Sequence, residues 1–179
     1  TAQKKEVFAN ASGWVVEAGS TQSGNSNTSA DPEILVAIGS LATSLGLADI
    51  TEIDWITTAA DKSDGFSLSV RVFFNEPVDV DTSGGVPYCA ITNGNEGSGS
   101  GRGPHNLPYA SGTGTNELVF TLAIAADNAA TNASDVLVVG ANALALNSGT
   151  IKDAGTSSAS TITSSSAIGT AAGSITVSA

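Results

Sequence analysis

The chain has 179 residues, with six Lys or Arg against seventeen Asp or Glu and a net charge of −11. So acidic a balance leaves no basic footprint for nucleic acid and disfavours an anionic membrane surface. With one cysteine there is no internal disulfide, and with 5% aromatic and 13% charged residues the core must be thin, built from Val, Leu, Ile and a few Phe.

Residues 1–50 differ from the rest. Val7-Phe8 and Trp14-Val15-Val16 are short apolar patches, each suited to a short strand or to an anchor laid on another protein. A polar loop follows over 19–30. Asp31-Pro32-Glu33 then reads as a helix start, with Asp as N-cap and Pro at the first helical position. Ile34, Leu35, Ile38, Leu41, Ala42 and Leu45 fall at helical spacing, so a helix is expected over 32–45. Gly39 and the β-branched residues favour an extended segment instead. The whole stretch is expected to be a docking arm.

From residue 51 the pattern changes to period two. Ile53, Trp55 and Thr57 alternate with Glu52, Asp54 and Ile56. Phe66, Leu68, Val70, Val72 and Phe74 alternate with Ser67, Ser69, Arg71 and Phe73, the signature of a half-buried strand. Asn75-Glu76-Pro77 should end that strand, because proline offers no amide to a ladder. Val78–Asp81 resumes it, as at a corner between two sheets. Further strands are expected at 86–92, 109–110, 117–124, 136–139, 144–146 and 150–151. Ile162, Ile168, Ile175 and Val177 are expected to contribute to one closing strand in a Ser/Thr/Gly/Ala-rich tail. Turn signals about ten residues apart are the spacing of an all-β sandwich.

Several blocks also carry a resemblance. Phe74-Asn75-Glu76-Pro77-Val78, Gly85-Val86-Pro87, Tyr109–Thr115, Leu118-Val119-Phe120 and Leu144–Gly155 occur in the order of bacterial immunoglobulin-like modules from surface adhesins. The set also looks like modules in structural proteins of marine tailed phages. The resemblance covers roughly residues 52–160. It implies an immunoglobulin-like β-sandwich without catalytic activity, here over 51–179 with an N-terminal arm containing a short helix. The single copy and the unmatched arm point to a capsid decoration subunit rather than a tandem adhesin.

Chemistry has few candidates. His105 is the only histidine and lies in a loop between two prolines, so a Ser-His-Asp or Cys-His site would have to use it. Cys89 sits within a strand pattern and reads as a small buried hydrophobe. The glycine-rich loop 93–108, with Arg102 at its tip, lacks the Lys-Ser/Thr of a phosphate loop. Among the acids, Asp61, Asp64, Glu76 and Asp153 fall mostly at turns, where calcium could be held by carboxylates and carbonyls. No EF-hand spacing is present, so solvated turn acids compete with that reading.

The partner-binding expectation falls on Phe8, Trp14, Val15, Ile34, Leu35 and Arg102. The expected partners are a major capsid protein and copies of the chain itself, as a homotrimer, with no cofactor unless calcium. Thr1 in a methionine-free chain is expected to follow a removed initiator, giving assembly in a host cytoplasm and display on a virion surface. A cleaved secretion signal would leave the same start and place the chain on a bacterial surface, as an adhesin or filament subunit. Host recognition through glycans is the other alternative.

Overall fold

The computed structural model describes residues 6–10, 12–37, 47–94 and 104–179. Two hydrogen-bonded sheets carry the fold. Three short strands, β1 (Val7–Asn10), β2 (Gly13–Val16) and β3 (Glu33–Ala37), form an antiparallel unit in the order β1-β2-β3. The remaining strands are β4 (Ile50–Trp55), β5 (Ala60–Asp61), β6 (Phe66–Asp81), β7 (Tyr88–Gly94), β8 (His105–Ser111), β9 (Thr115–Ile124), β10 (Val136–Ala145), β11 (Thr150–Asp153) and β12 (Ser174–Ser178). Eight of them follow one path, β11-β6-β9-β8-β7-β10-β12-β5, and β4 adds to β6. A short helix, α1 (Ser166–Ala172), precedes β12.

The sheet is continuous and curled into a half-barrel around its core, which corrects the expected immunoglobulin-like sandwich. The residues responsible are in β8. His105–Pro108 pair with β7, and Tyr109 and Ser111 pair with β9. One strand thus hands the ladder from one side of the core to the other, and the two sides remain hydrogen-bonded. Inside the curl lie Leu68, Val70, Val72, Phe74, Cys89, Ile91, Leu107, Leu118, Phe120, Leu137, Ile151 and Val177. The Phe66–Phe74 alternation therefore points the residues it should into the core.

The expected corner at Asn75-Glu76-Pro77 is also corrected, because the strand runs through it. β6 has 16 residues, and its register against β9 jumps between Phe73 and Val78. On its other edge β6 changes partner, from β4 up to Phe74 to β11 from Val78 onward. Pro77 occupies the bulge, where its missing amide costs no ladder bond. Its carbonyl accepts from the Ala154 amide at 3.0 Å.

The helix expected over 32–45 is not formed where the structure describes it. Residues 33–37 are strand β3, paired to β2, and residues 38–46 lie outside the described residues. Ile34 and Val36 are β-branched and favour a pleated surface over a helix turn. The helix among the described residues sits instead at 166–172, in the tail, and takes up Ile168, which the sequence pattern places in a closing strand. It lies against β10 where that strand's register against β7 shifts, between Val139 and Leu144. A Cβ on Gly169 would collide with the Val139 carbonyl, so glycine is what lets helix and strand approach.

Candidate docking surface

The three-stranded unit packs through β1 on β6. The sign of this is Phe73. Its neighbours Val72 and Phe74 face the core, so Phe73 points out of the curl, yet it is only 2% exposed. Ala9, Val15, Val16 and Ala18 are buried with it, outside the main core cluster. Arg71 lies on the same outward side, its guanidinium 5.9 Å from the Phe73 ring centre. A cleft of about 420 Å³ opens there, lined by Arg71, Glu6, Glu17, Gly19, Thr28 and Glu117 among others. Thr21 donates to Glu6 at 2.7 Å, which ties the 17–21 turn to the start of β1.

The far side of the unit is open. Trp14 is 45% exposed, Ile34 56%, Leu35 53% and Val36 52%. Trp14 and Val36 are directly opposed across β2 and β3. The register of β3 against β2 shifts so that Leu35 has no partner on β2. It is the extra residue of a bulge, and strict alternation does not hold across residues 34–36. Scattered exposed apolar residues are ordinary, but four gathered on one small sheet form a patch of the kind that marks an interface.

Of the six residues expected to bind a partner, Trp14, Ile34 and Leu35 lie on this patch. Phe8 is half-buried and Val15 fully buried, so Val15 holds the unit to the body and contributes no exposed surface. Arg102 lies outside the described residues. Val36 was missed. Its place in a presumed helix hid that β3 would put it beside Trp14.

The acidic candidates separate into two places. Asp61 closes the turn before β6, accepting from Ser63 N–H at 2.9 Å and Ser63 Oγ at 2.7 Å. These bonds, the hydroxyl's first, hold its carboxyl below the usual range. Asp64 is an exposed residue of the same turn. Glu76 and Asp153 are buried together where β6 meets β11. Burial pushes Asp153 up, but hydrogen bonds from Thr156 and Glu76 outweigh it and leave the group below its ordinary value. A bond between two carboxyl groups requires a shared proton. Ten residues of β6 separate Phe66 from Glu76, roughly 33 Å of extended chain, so the two places cannot share an ion. Among the described residues no group of three or more Asp, Glu, His or Cys side chains could hold a metal.

His105 does gather neighbours. Its Nε2 lies 3.1 Å from Thr131 Oγ1, and the Asp135 carboxylate acts on the ring. Asn93 Nδ2 and the Asn132 amide both donate to Asp135 Oδ2, at 2.9 and 2.8 Å. A hydroxyl, an imidazole and a carboxylate in sequence have the composition of a nucleophilic site. Thr131, however, is 1% exposed and Asp135 0%, so no substrate reaches the hydroxyl in this arrangement. The network instead pins the 126–135 loop to β7 and β8. Cys89 is likewise sealed, its thiol pushed up to about 12 by burial.

Burial lowers the His105 pKa from its ordinary 6.5, only partly offset by Asp135. The fold therefore favours the neutral ring. Its contribution is complete above the unfolded value near 6.5 and is lost as pH falls below it towards the folded value. Thermal melts across pH 7 to 5 should show stability falling, and His105→Gln should flatten that slope. An identical slope in the variant would refute the assignment.

No family model, curated protein or solved structure matches the chain. No helix among the described residues is long and apolar enough to cross a membrane.

Proposed function

We propose that the chain is a non-enzymatic structural subunit that decorates a larger protein particle, a tailed-phage capsid above all. It docks through the three-stranded unit and projects the curled sheet. The observation that supports this is the open apolar patch of Trp14, Ile34, Leu35 and Val36, on a small sheet seated outside the main core. A half-exposed tryptophan among aliphatic side chains is the composition of an interface hot spot. The low charge of β2 and β3 within a chain of net charge −11 sets this patch apart as the place where contact with another protein costs least desolvation.

Co-sedimentation with capsids that lack the chain tests the reading. Wild type should bind, and Trp14→Ala should weaken binding by about tenfold or more, the loss typical of a central aromatic anchor. A chain with no affinity for such capsids would overturn it. Binding to bacterial cells in its place would favour an adhesin.

A further inference from the structure

We propose that Glu76 and Asp153 form a proton-dependent latch: one shared proton bonds the two carboxyl groups and holds β11 against β6, and its loss to base releases β11 and the turn behind it.

Both groups are built into the fold. Glu76 is 6% exposed and Asp153 0%. Asp153 pairs with Val78 at the end of the ladder between β11 and β6. The Ala154 amide then donates to the Pro77 carbonyl at 3.0 Å, so the two chains stay side by side past that pair and carry Asp153 to Glu76. Asp153 Oδ1 takes two donors, the Thr156 amide at 2.7 Å and Thr156 Oγ1 at 3.1 Å. Asp153 Oδ2 is sealed from solvent, and no N–H or hydroxyl among the described residues donates to it. A carboxylate oxygen left bare in that way is costly. The neighbour that reaches Asp153 is the Glu76 carboxyl, which donates only while it carries a proton. The unmet oxygen and the second buried carboxyl therefore account for each other.

No positive charge faces the pair. Lys152 of β11 is exposed and pairs with Asp79, and alternation along this regular ladder turns it to the side opposite Asp153. Asp79 and Asp81 of β6 are exposed, as is Asp49 before β4, whose carbonyl accepts from the Asn75 amide. Arg71 and Glu117 line the cleft on the outer side of the sheet. β9 brings uncharged Thr115 and Asn116 to the bulge, and the 154–158 turn carries no titratable side chain. With the proton gone, two like charges share a buried space without a cation. β11 is the strand such repulsion moves. It has four residues and ends the strand path, with β6 as its one neighbour there.

The closed latch holds a proton that the open chain gives up, so stability falls as pH rises above the ordinary carboxyl range. Each pH unit multiplies the opening constant by about ten for as long as the closed latch keeps its proton. Asp153 itself stays below its ordinary value, burial being outweighed by the bonds from Thr156 and Glu76. Its own contribution has the opposite sign and is lost only in acid.

Hydrogen exchange of the full chain, read over 150–158 from pH 6 to 9 and corrected for the intrinsic rate, tests the latch. In wild type, protection there should fall by about tenfold per pH unit from the acid end of that range while protection of 117–122 holds. Glu76→Gln gives Asp153 a permanent N–H donor and should make protection of 150–158 independent of pH. Asp153→Asn can donate its amide to the Glu76 carboxylate and should do the same, which keeps the test alive if the first variant does not fold. His105 is common to all three chains and cancels in the comparison. Infrared spectra at pH 6 should show the carbonyl stretch of a protonated carboxyl in wild type and lose it in Glu76→Gln. Equal pH dependence in wild type and the variants would overturn the proposal, as would a wild-type spectrum without that band.

Discussion

Phe120→Ala should cost the folded chain about 3–5 kcal/mol, the range for removing a fully buried phenylalanine from a packed core. Phe120 is 0% exposed and lies on β9, paired with Val70 of β6 on one side and Tyr109 of β8 on the other. Its ring meets Tyr109 edge-on, with centroids 6.0 Å apart and planes at 71°. Such a contact adds about 0.5–1.5 kcal/mol beyond burial. Tyr109 is also where β8 leaves β7 for β9, so truncation removes packing at the point where the sheet curls. Tyr109 is held there by its hydroxyl, which accepts from the Thr113 amide at 2.9 Å. A cost near 4 kcal/mol lowers the melting temperature by about 8–16 °C in a chain of this size. A fall of only a degree or two would mean that the core is not continuous through β9.

Gly13→Ala should loosen the pairing of β2 with β3 while leaving the main sheet nearly intact. Gly13 has φ of +128°, and a Cβ there would run into the carbonyl oxygen of Val36. That oxygen belongs to the backbone of β3 and cannot rotate away. The backbone conformation alone costs about 1–3 kcal/mol for a residue with a side chain. The strain falls on the pairing of β2 with β3. Limited proteolysis should therefore cut within 32–37 sooner than in wild type. The main unfolding transition should move by no more than a few degrees. An unchanged cleavage pattern would show that β3 does not depend on this close approach.

The core was legible because burial on one face of a strand forces period two. Leu68, Val70, Val72, Phe74, Leu118 and Phe120 all sit where alternation puts them. The connectivity was not, because β8 looks like a loop in sequence. His105-Asn106-Leu107-Pro108 has a single large apolar residue and two prolines nearby, and only its pairing with Cys89–Ile91 makes it a strand. Phe73 misleads in the same way. It falls on the polar side of β6 by parity and is buried only because a second sheet lies over it.

The candidate patch was half readable. Trp14 stands out in any reading of residues 1–50, and Ile34 and Leu35 are conspicuous. Their role as an edge strand was hidden behind Asp-Pro-Glu, a good helix opening that local chemistry alone cannot tell from a stop before a strand. The polar network of His105, Thr131 and Asp135 left no signal. Most of β8 and all of β9 separate His105 from Thr131 and Asp135, which only tertiary pairing gathers.

The parallel pairing of β12 with β5 bears on how the molecule acquires its shape. Val177 lies beside Ala60, and Ser178 beside Asp61. The Ser178 carbonyl accepts from Lys62, and Val177 exchanges backbone bonds with Ser134 and Asp135. More than a hundred residues must be synthesised between the two halves of that ladder. On a ribosome β5 waits, unpaired, for its partner to emerge, and the chain behaves as a late-closing, high-contact-order fold that gains its final edge after translation of 174–178.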